Sequence, residues 1–228
     1  METYVVVPTH NRPDELRTLL VSLNMPGDRV LVIDNASTPP IGPGSWGQRF
    51  AGDVVIDAHV VRDLEQPPNL ARLWNLGIDW ATQRAEGREH AVAILNDDLV
   101  LPPLFLDYMV GALRETGAAV AFPDQHGRQR GLLHRTVPGP VPLAERMTGY
   151  AFVLRGGIGL RADERLRWWF GDDDLEWQAL ERGGTVLVGG ITVQHLHPDE
   201  STRARPELEE QTRRDRQEFI AKWGTEPW

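Results

Sequence analysis

The sequence predicts an α/β fold: a mostly parallel central sheet flanked by helices, with a smaller mixed β region and a C-terminal helix. Three observations predict it. Short aliphatic runs alternate with segments of helical period through the first 123 residues. Those runs are apolar throughout rather than alternating, as parallel strands covered on both faces are. Polar clusters close three of the runs, at the strand ends where open parallel sheets hold their ligands.

Each element has a local reason. Tyr4–Pro8 is a strand, stopped by a proline that has no N–H to donate. Asp14–Leu23 carries Leu16, Leu19, Leu20 and Leu23 at helical spacing, with Pro13 suited to its first turn. Val30–Ile33 is a second strand and runs into Asp34-Asn35-Ala36-Ser37. Gly42–Gly47 is a Gly/Pro-rich loop, and Val54–Ile56 and Val60–Val61 are short strands. Asn69–Arg84 places Leu70, Leu73, Trp74, Gly77 and Ile78 on one helical face. Ala91–Leu95 is a buried strand that ends in Asn96-Asp97-Asp98; Leu104–Glu115 is a helix and Ala118–Phe122 a strand.

The second half is less regular. Gln125–Pro142, rich in Gly, Pro, Arg and His, reads as a loop or hairpin. Met147–Leu154 is a strand, Asp172–Arg182 a helix, and Thr185–Val188 and Thr192–His195 are strands. Glu207–Lys222 is a charged helix anchored by Leu208, Phe219 and Ile220. No repeat and no long linker interrupts the chain, so residues 1–228 are expected to form a single domain.

Composition bounds the function. The chain has 228 residues, 41% apolar and 25% charged, the profile of a globular protein. Its 24 basic and 33 acidic residues leave a net charge of −9, which opposes broad non-specific nucleic-acid binding. Cysteine is absent, and the longest apolar runs, such as Ala91–Leu95, are about five residues, against the ~20 that span a bilayer. The start of the sequence lacks the basic and small-residue pattern of a signal peptide, and a cytoplasmic protein is expected.

Five clusters carry chemistry. Thr9-His10-Asn11-Arg12 follows the first strand. Carboxylates in Asn96-Asp97-Asp98, at a strand exit, suit a hard divalent cation that in turn binds a diphosphate. Asp172-Asp173-Asp174 with Glu176 crowds four acids at a helix start; the dipole favours one or two, and further like charges suit a metal or a base. His195 and His197, one residue apart, point to one face of an extended segment, where an imidazole can join a metal site. Trp168-Trp169-Phe170 can wall a sugar or an aromatic ligand.

The order of these clusters resembles family-2 glycosyltransferases of the GT-A fold. The similar segments are ValValProThrHisAsnArgPro at 6–13, ValIleAspAsnAlaSerThr at 32–38, AsnLeuAlaArgLeuTrpAsnLeuGly at 69–77 and IleLeuAsnAspAsp at 94–98, in the place of that family's DXD motif. They continue with ThrGlyTyrAlaPheValLeuArg at 148–155, AlaAspGluArg at 162–165, AspAspAspLeuGluTrpGlnAlaLeuGluArgGly at 172–183 and AspArgGlnGluPheIleAlaLysTrpGly at 215–224.

The resemblance implies a nucleoside-diphosphate-sugar donor, a UDP-sugar foremost, bound by residues 1–123, with 124–228 forming the acceptor and catalytic half. Pro8, Thr9, Asn11 and Arg12 would line the nucleoside pocket and Asp34 would bind the base. Asn69, Arg72 and Asn75 fall where the family holds the donor, and Asn96 and Asp97 lie in the DXD-like motif. Asp98 and His195, with His197 as an alternate, would hold Mn²⁺ or Mg²⁺, the mixed oxygen and imidazole set favouring Mn²⁺. Asp172, or Asp173 in a shifted register, would be the base, and Trp168, Trp169 and Asp174 would face the acceptor. Two departures stand out: Asn96 replaces an Asp, and Gly171 stands where the acidic motif usually has Glu.

A hexosyl transfer with inversion follows from these roles. The cation stabilises the leaving diphosphate while a carboxylate takes the acceptor's proton. The acceptor is a saccharide or another hydroxyl-bearing molecule; the basic loop with His126, Arg128, Arg130, His134 and Arg135 admits a hydroxylated base in modified DNA. Two other classes compete. A metal-dependent nucleotidyltransferase usually carries a Gly-rich loop after its first strand, and ThrHisAsnArgPro has no glycine. A non-catalytic sugar- or nucleotide-binding module would have no need to keep Asp98, Asp172 and His195 together.

Overall fold

The computed structural model describes residues 1–23, 25–42, 58–197 and 205–227. Its elements run β1 (Glu2–Thr9), α1 (Pro13–Leu23), β2 (Val30–Asn35), β3 (His59–Asp63), α2 (Leu70–Ala85), β4 (His90–Leu95), β5 (Leu99–Val100) and α3 (Phe105–Thr116). They continue as β6 (Val120–Pro123), β7 (Leu132–Arg135), β8 (Ala151–Arg155), α4 (Gly171–Leu180), β9 (Thr185–Val188), β10 (Gln194–His195) and α5 (Pro206–Trp223).

Eight strands form one sheet in the order β3-β2-β1-β4-β8-β6-β9-β7, and β5 pairs with β10 apart from it. The first four strands in this order run parallel to one another. β8 runs antiparallel between β4 and β6, and β7 antiparallel at the edge against β9. The chain leaves β1 toward β2 and β3, then returns through α2 to β4 on β1's other side. That reversal opens a crevice beyond the carboxyl ends of β1 and β4. Register aligns the polar clusters there: Thr9 lies opposite Asp34, and Val6 opposite Ile94, two residues before Asn96.

Strand alternation sorts the core into two layers. Val5 and Val7 of β1 face Leu16 and Leu19 of α1 and Met109 of α3, while Tyr4 and Val6 face Leu73, Trp74 and Ile78 of α2 and Leu175 of α4. Gly77 lets α2 lie against β1, since a Cβ there would stand 2.2 Å from Val6 Cγ1. A third cluster, Leu166, Phe170, Trp177 and Phe219 with Trp169 and Trp223 against it, seats α5 on α4.

The predicted α/β class and flanking helices hold, with differences of local cause. Residues 43–47 of the predicted loop and the strand at 54–56 lie outside the described residues. The strand expected from Met147 begins at Ala151, because backbone groups before it are claimed elsewhere: Met147 N–H donates to Glu176 and Gly149 N–H to Asp172. Within 125–142, the stretch Leu132–Arg135 is an edge strand. The strand expected over 192–195 shortens to Gln194–His195, whose His195 lies opposite Leu99.

Candidate active site

A cleft of about 700 Å³ opens at the switch point. Pro8, Thr9, Asn11 and Arg12 line it together with Asn96, Asp97, Asp98, Trp168, Trp169, Asp172, His195 and His197. Residues far apart in sequence thus share one wall because three strands end together.

Asp98 is the best buried of the facing carboxylates, 1% exposed. Its Oδ2 accepts from Arg12 at 2.7 Å. Its Oδ1 accepts no hydrogen bond among the described residues and lies 3.2 Å from His195 Nε2. Burial pushes Asp98 up, but the His195 imidazole and the Arg12 guanidinium outweigh it and hold the carboxyl below the usual carboxylate range. Tyr150 stacks on His195 with ring centroids 5.1 Å apart, and β10 pairing with β5 brings the imidazole to Asp98.

This oxygen–nitrogen pair fits a divalent cation. Two adjacent ligands with bonds of about 2.1 Å at right angles lie about 3.0 Å apart, close to the 3.2 Å separation, and the buried oxygen has an unclaimed lone pair. Among the described residues no group of three or more acidic or imidazole side chains gathers to hold a metal. His197 diverges from the pair: the strand ends at His195, and His197 Nε2 lies 3.5 Å from Glu15 of α1.

Asp97 is turned toward β1. Thr9 Oγ1 donates to it at 2.8 Å, Arg12 stands 3.5 Å away, and burial pushes its carboxyl up to about 6. Asn11 sits at φ +56°; its N–H donates to Ser37 Oγ and its Oδ1 accepts from Thr38 N–H, tying the loop after β1 to the loop after β2. Asn96 N–H donates to Tyr150 O at 2.8 Å.

Asp172 faces the cleft from the first turn of α4, its Oδ2 accepting from Gly149 N–H at 2.8 Å. Its neighbours turn inward. Asp173 accepts from Arg146 at 3.0 and 3.2 Å; burial and then the charge of Asp172 push its carboxyl well up. Glu176 is 1% exposed, with Oε2 accepting from Met147 N–H and Oε1 lacking a hydrogen-bond partner among the described residues. Burial raises it to about 8.

Several predicted residues are not among the cleft's lining. Asp34 is buried, and its oxygens accept from Ser37 and Ile41 N–H, fixing the turn after β2. Asn69 caps α2 by accepting from Arg72 N–H. Arg72 pairs with Asp63. Asn75 spans to Ala162, donating to its carbonyl and accepting from its N–H. Asp174 accepts from Trp223 Nε1 at 2.8 Å and Lys222 at 2.6 Å, joining α4 to α5.

His10 and Asn35, which the sequence places in the polar clusters after the first two strands without assigning them a role, line the cleft, and so do Trp74, Arg146, Tyr150 and Arg205, which sequence reasoning missed as site residues. Position just beyond a strand end flags the first two. Arg146, Tyr150 and Arg205 carry no such signal.

Residues 4–154, about two thirds of the chain, match the family described as glycosyl transferase family 2. The chain belongs to glycosyl transferase family 2. Solved structures share the GT-A fold of this family 2 chain. S. aureus TarS 1-349 is 16% identical with a TM-score of 0.59, covering 92% of this chain and 65% of that one. The same protein in complex with UDP-GlcNAc is 16% identical at a TM-score of 0.58, with 96% and 67% covered. GalNAc-T7 with UDP, GalNAc and Mn2+ is 16% identical at 0.57, with 86% and 44% covered. The chain therefore spans less than two thirds of the first of these chains and under half of the last. No curated protein matches. Among the described residues no helix is long and apolar enough to cross a membrane.

Proposed function

We propose that this family 2 chain transfers a sugar from a nucleoside-diphosphate sugar, a UDP-sugar foremost, to an acceptor hydroxyl with inversion, using a divalent cation, Mn²⁺ or Mg²⁺. The single observation that carries this reading is that the Asp98–His195 pair and the Asp172 carboxylate line one cleft at the sheet's switch point. TarS bound to UDP-GlcNAc and GalNAc-T7 bound to UDP and Mn2+ share its fold, which supports the donor and the cation. Residues 1–123 hold the nucleotide, and 124–228 supply the acceptor side.

Asp98 and His195 would hold the cation, whose charge would offset that developing on the departing diphosphate. Arg12, on the same edge, adds a fixed positive charge for the phosphates. Thr9 and Asn11 shape the nucleoside end, with Asp34 acting from behind by fixing the loop that Asn11 grips. Asp172 is oriented by Gly149 N–H at one oxygen, leaving the other to take the acceptor's proton as the hydroxyl attacks the anomeric carbon. Asp173 and Glu176 are buried behind it, Arg146 lines the cleft and pairs with Asp173, and Trp168 and Trp169 form a wall for the acceptor.

Calorimetric titration with UDP, GDP and dTDP, each with and without Mn²⁺, tests the donor site. Base-selective, Mn²⁺-dependent binding is expected, with nucleoside diphosphate as the released product. Absence of binding by all three under both conditions refutes the reading, and released pyrophosphate would favour nucleotidyl transfer.

A further inference from the structure

The wall formed by Trp168 and Trp169 is held by a residue from the far end of the chain. Asp215, in α5, is fully buried. One of its oxygens accepts from Trp168 N–H at 2.7 Å and Trp169 N–H at 2.8 Å. The other accepts from Arg167 N–H at 3.1 Å and from Gln211 Nε2 at 2.8 Å. Three consecutive backbone donors converging on one carboxylate form an anion nest, here filled by the protein's own charge. Such bonds to an ionised acceptor are shorter and stronger than neutral ones.

The nest dictates where the loop's side chains go. Leu166 and Phe170 drop into the apolar cluster with Trp177 and Phe219, Trp168 lines the cleft, and Trp169 packs against the cluster while also lining the cleft. The same turn leads into α4: Phe170 takes φ +64°, and its carbonyl accepts from Asp174 N–H at 2.9 Å, two residues past Asp172. Arg167's carbonyl accepts from Leu70 N–H at the start of α2. Asp174 in turn binds Lys222 and Trp223, so α5 grips the loop and the helix behind it at two points.

We infer that Asp215 of the C-terminal helix is a positioning residue that sets the aromatic wall of the cleft. Its consequence for acceptor binding rests on the glycosyl-transfer reading, in which Trp168 and Trp169 face the acceptor. The placement of the wall does not. Asp215→Asn puts an N–H₂ among the three donors and removes an acceptor they share; Asp215→Ala removes both acceptors.

The test uses the full chain labelled with 5-fluorotryptophan, whose fluorine resonances are assigned by Trp80→Phe, Trp168→Phe and Trp169→Phe. In Asp215→Asn and Asp215→Ala, the Trp168 and Trp169 resonances are expected to shift and broaden while that of Trp80, packed on Tyr4 and His59, stays. Affinity for UDP with Mn²⁺ is expected to stay within about twofold, since the nest is separate from the donor edge. Unmoved Trp168 and Trp169 resonances overturn the inference, as does a uniform change of all three accompanied by loss of UDP binding, which would make Asp215 a support of the whole fold. Should the Asp215 variants fail to fold, Gln211→Met, which removes only the side chain that orients the carboxylate, must produce the same selective response at lower amplitude. If wild type itself does not bind UDP, the donor reading fails while the fluorine spectra still decide the role of Asp215.

Discussion

Glu176 makes the stability of this fold depend on pH. It lies 1% exposed behind Asp172, where burial and then the charge of Asp172 push its carboxyl up while the charges of Arg146 and Arg135 pull it down. Burial raises its carboxyl from 4.5 to about 8. A group whose folded pKa exceeds its unfolded value contributes stability that is complete below the unfolded pKa and lost as pH rises through the folded one. Between about pH 4.5 and pH 8 the unfolded chain ionises while the folded chain stays protonated, so each pH unit costs about 1.4 kcal/mol and the whole interval about 5 kcal/mol. Glu176→Gln keeps a carbonyl to accept from Met147 N–H, at 3.0 Å in the wild type, and cannot ionise. Urea unfolding from about pH 4.5 to pH 9 measures the difference. Relative to wild type, the variant should gain steadily with pH, by several kcal/mol in total, and the difference should level off above pH 8. A difference that stays flat across the range would refute the claim that Glu176 is buried without a neutralising partner.

Three further outcomes follow from the geometry. Asp172→Asn should lower turnover by about 10²–10⁴-fold with donor affinity unchanged, because Gly149 still orients the side chain while the base is gone; near wild-type turnover, with the loss appearing in Asp173→Asn instead, would move the base to Asp173. Asp98→Ala should abolish the Mn²⁺-dependent part of UDP binding, and His195→Ala should weaken it by about 10–100-fold, read by calorimetry with and without the ion. Gly77→Ala should destabilise by about 1–3 kcal/mol or more in urea unfolding, since its Cβ would meet Val6 Cγ1 at 2.2 Å and α2 must shift off β1.

The sequence by itself determined the local and periodic features. Continuous apolar runs marked the strands, helical spacing marked α1, α2 and α3, and the polar clusters at the ends of β1 and β4 marked the crevice, because strand ends and side-chain period are properties of neighbouring residues. Asp98 and His195, which the resemblance to family-2 glycosyltransferases put in one site, stand 3.2 Å apart across a β5–β10 pairing that no local pattern announced. Tertiary structure alone decided the rest. The antiparallel β8 depends on which strand edge is free to pair, not on its own residues. Composition and spacing did not separate the four acids of 172–176, and the resemblance left the base between Asp172 and Asp173 and set Asp174 toward the acceptor; packing turned Asp172 to the cleft, Asp173 to Arg146, Asp174 to Lys222 and Glu176 into the interior. Asp215 is one more charge on a charged helix until α5 docks. Its role arises because three backbone N–H groups from residues 46–48 positions earlier need an acceptor where water is excluded.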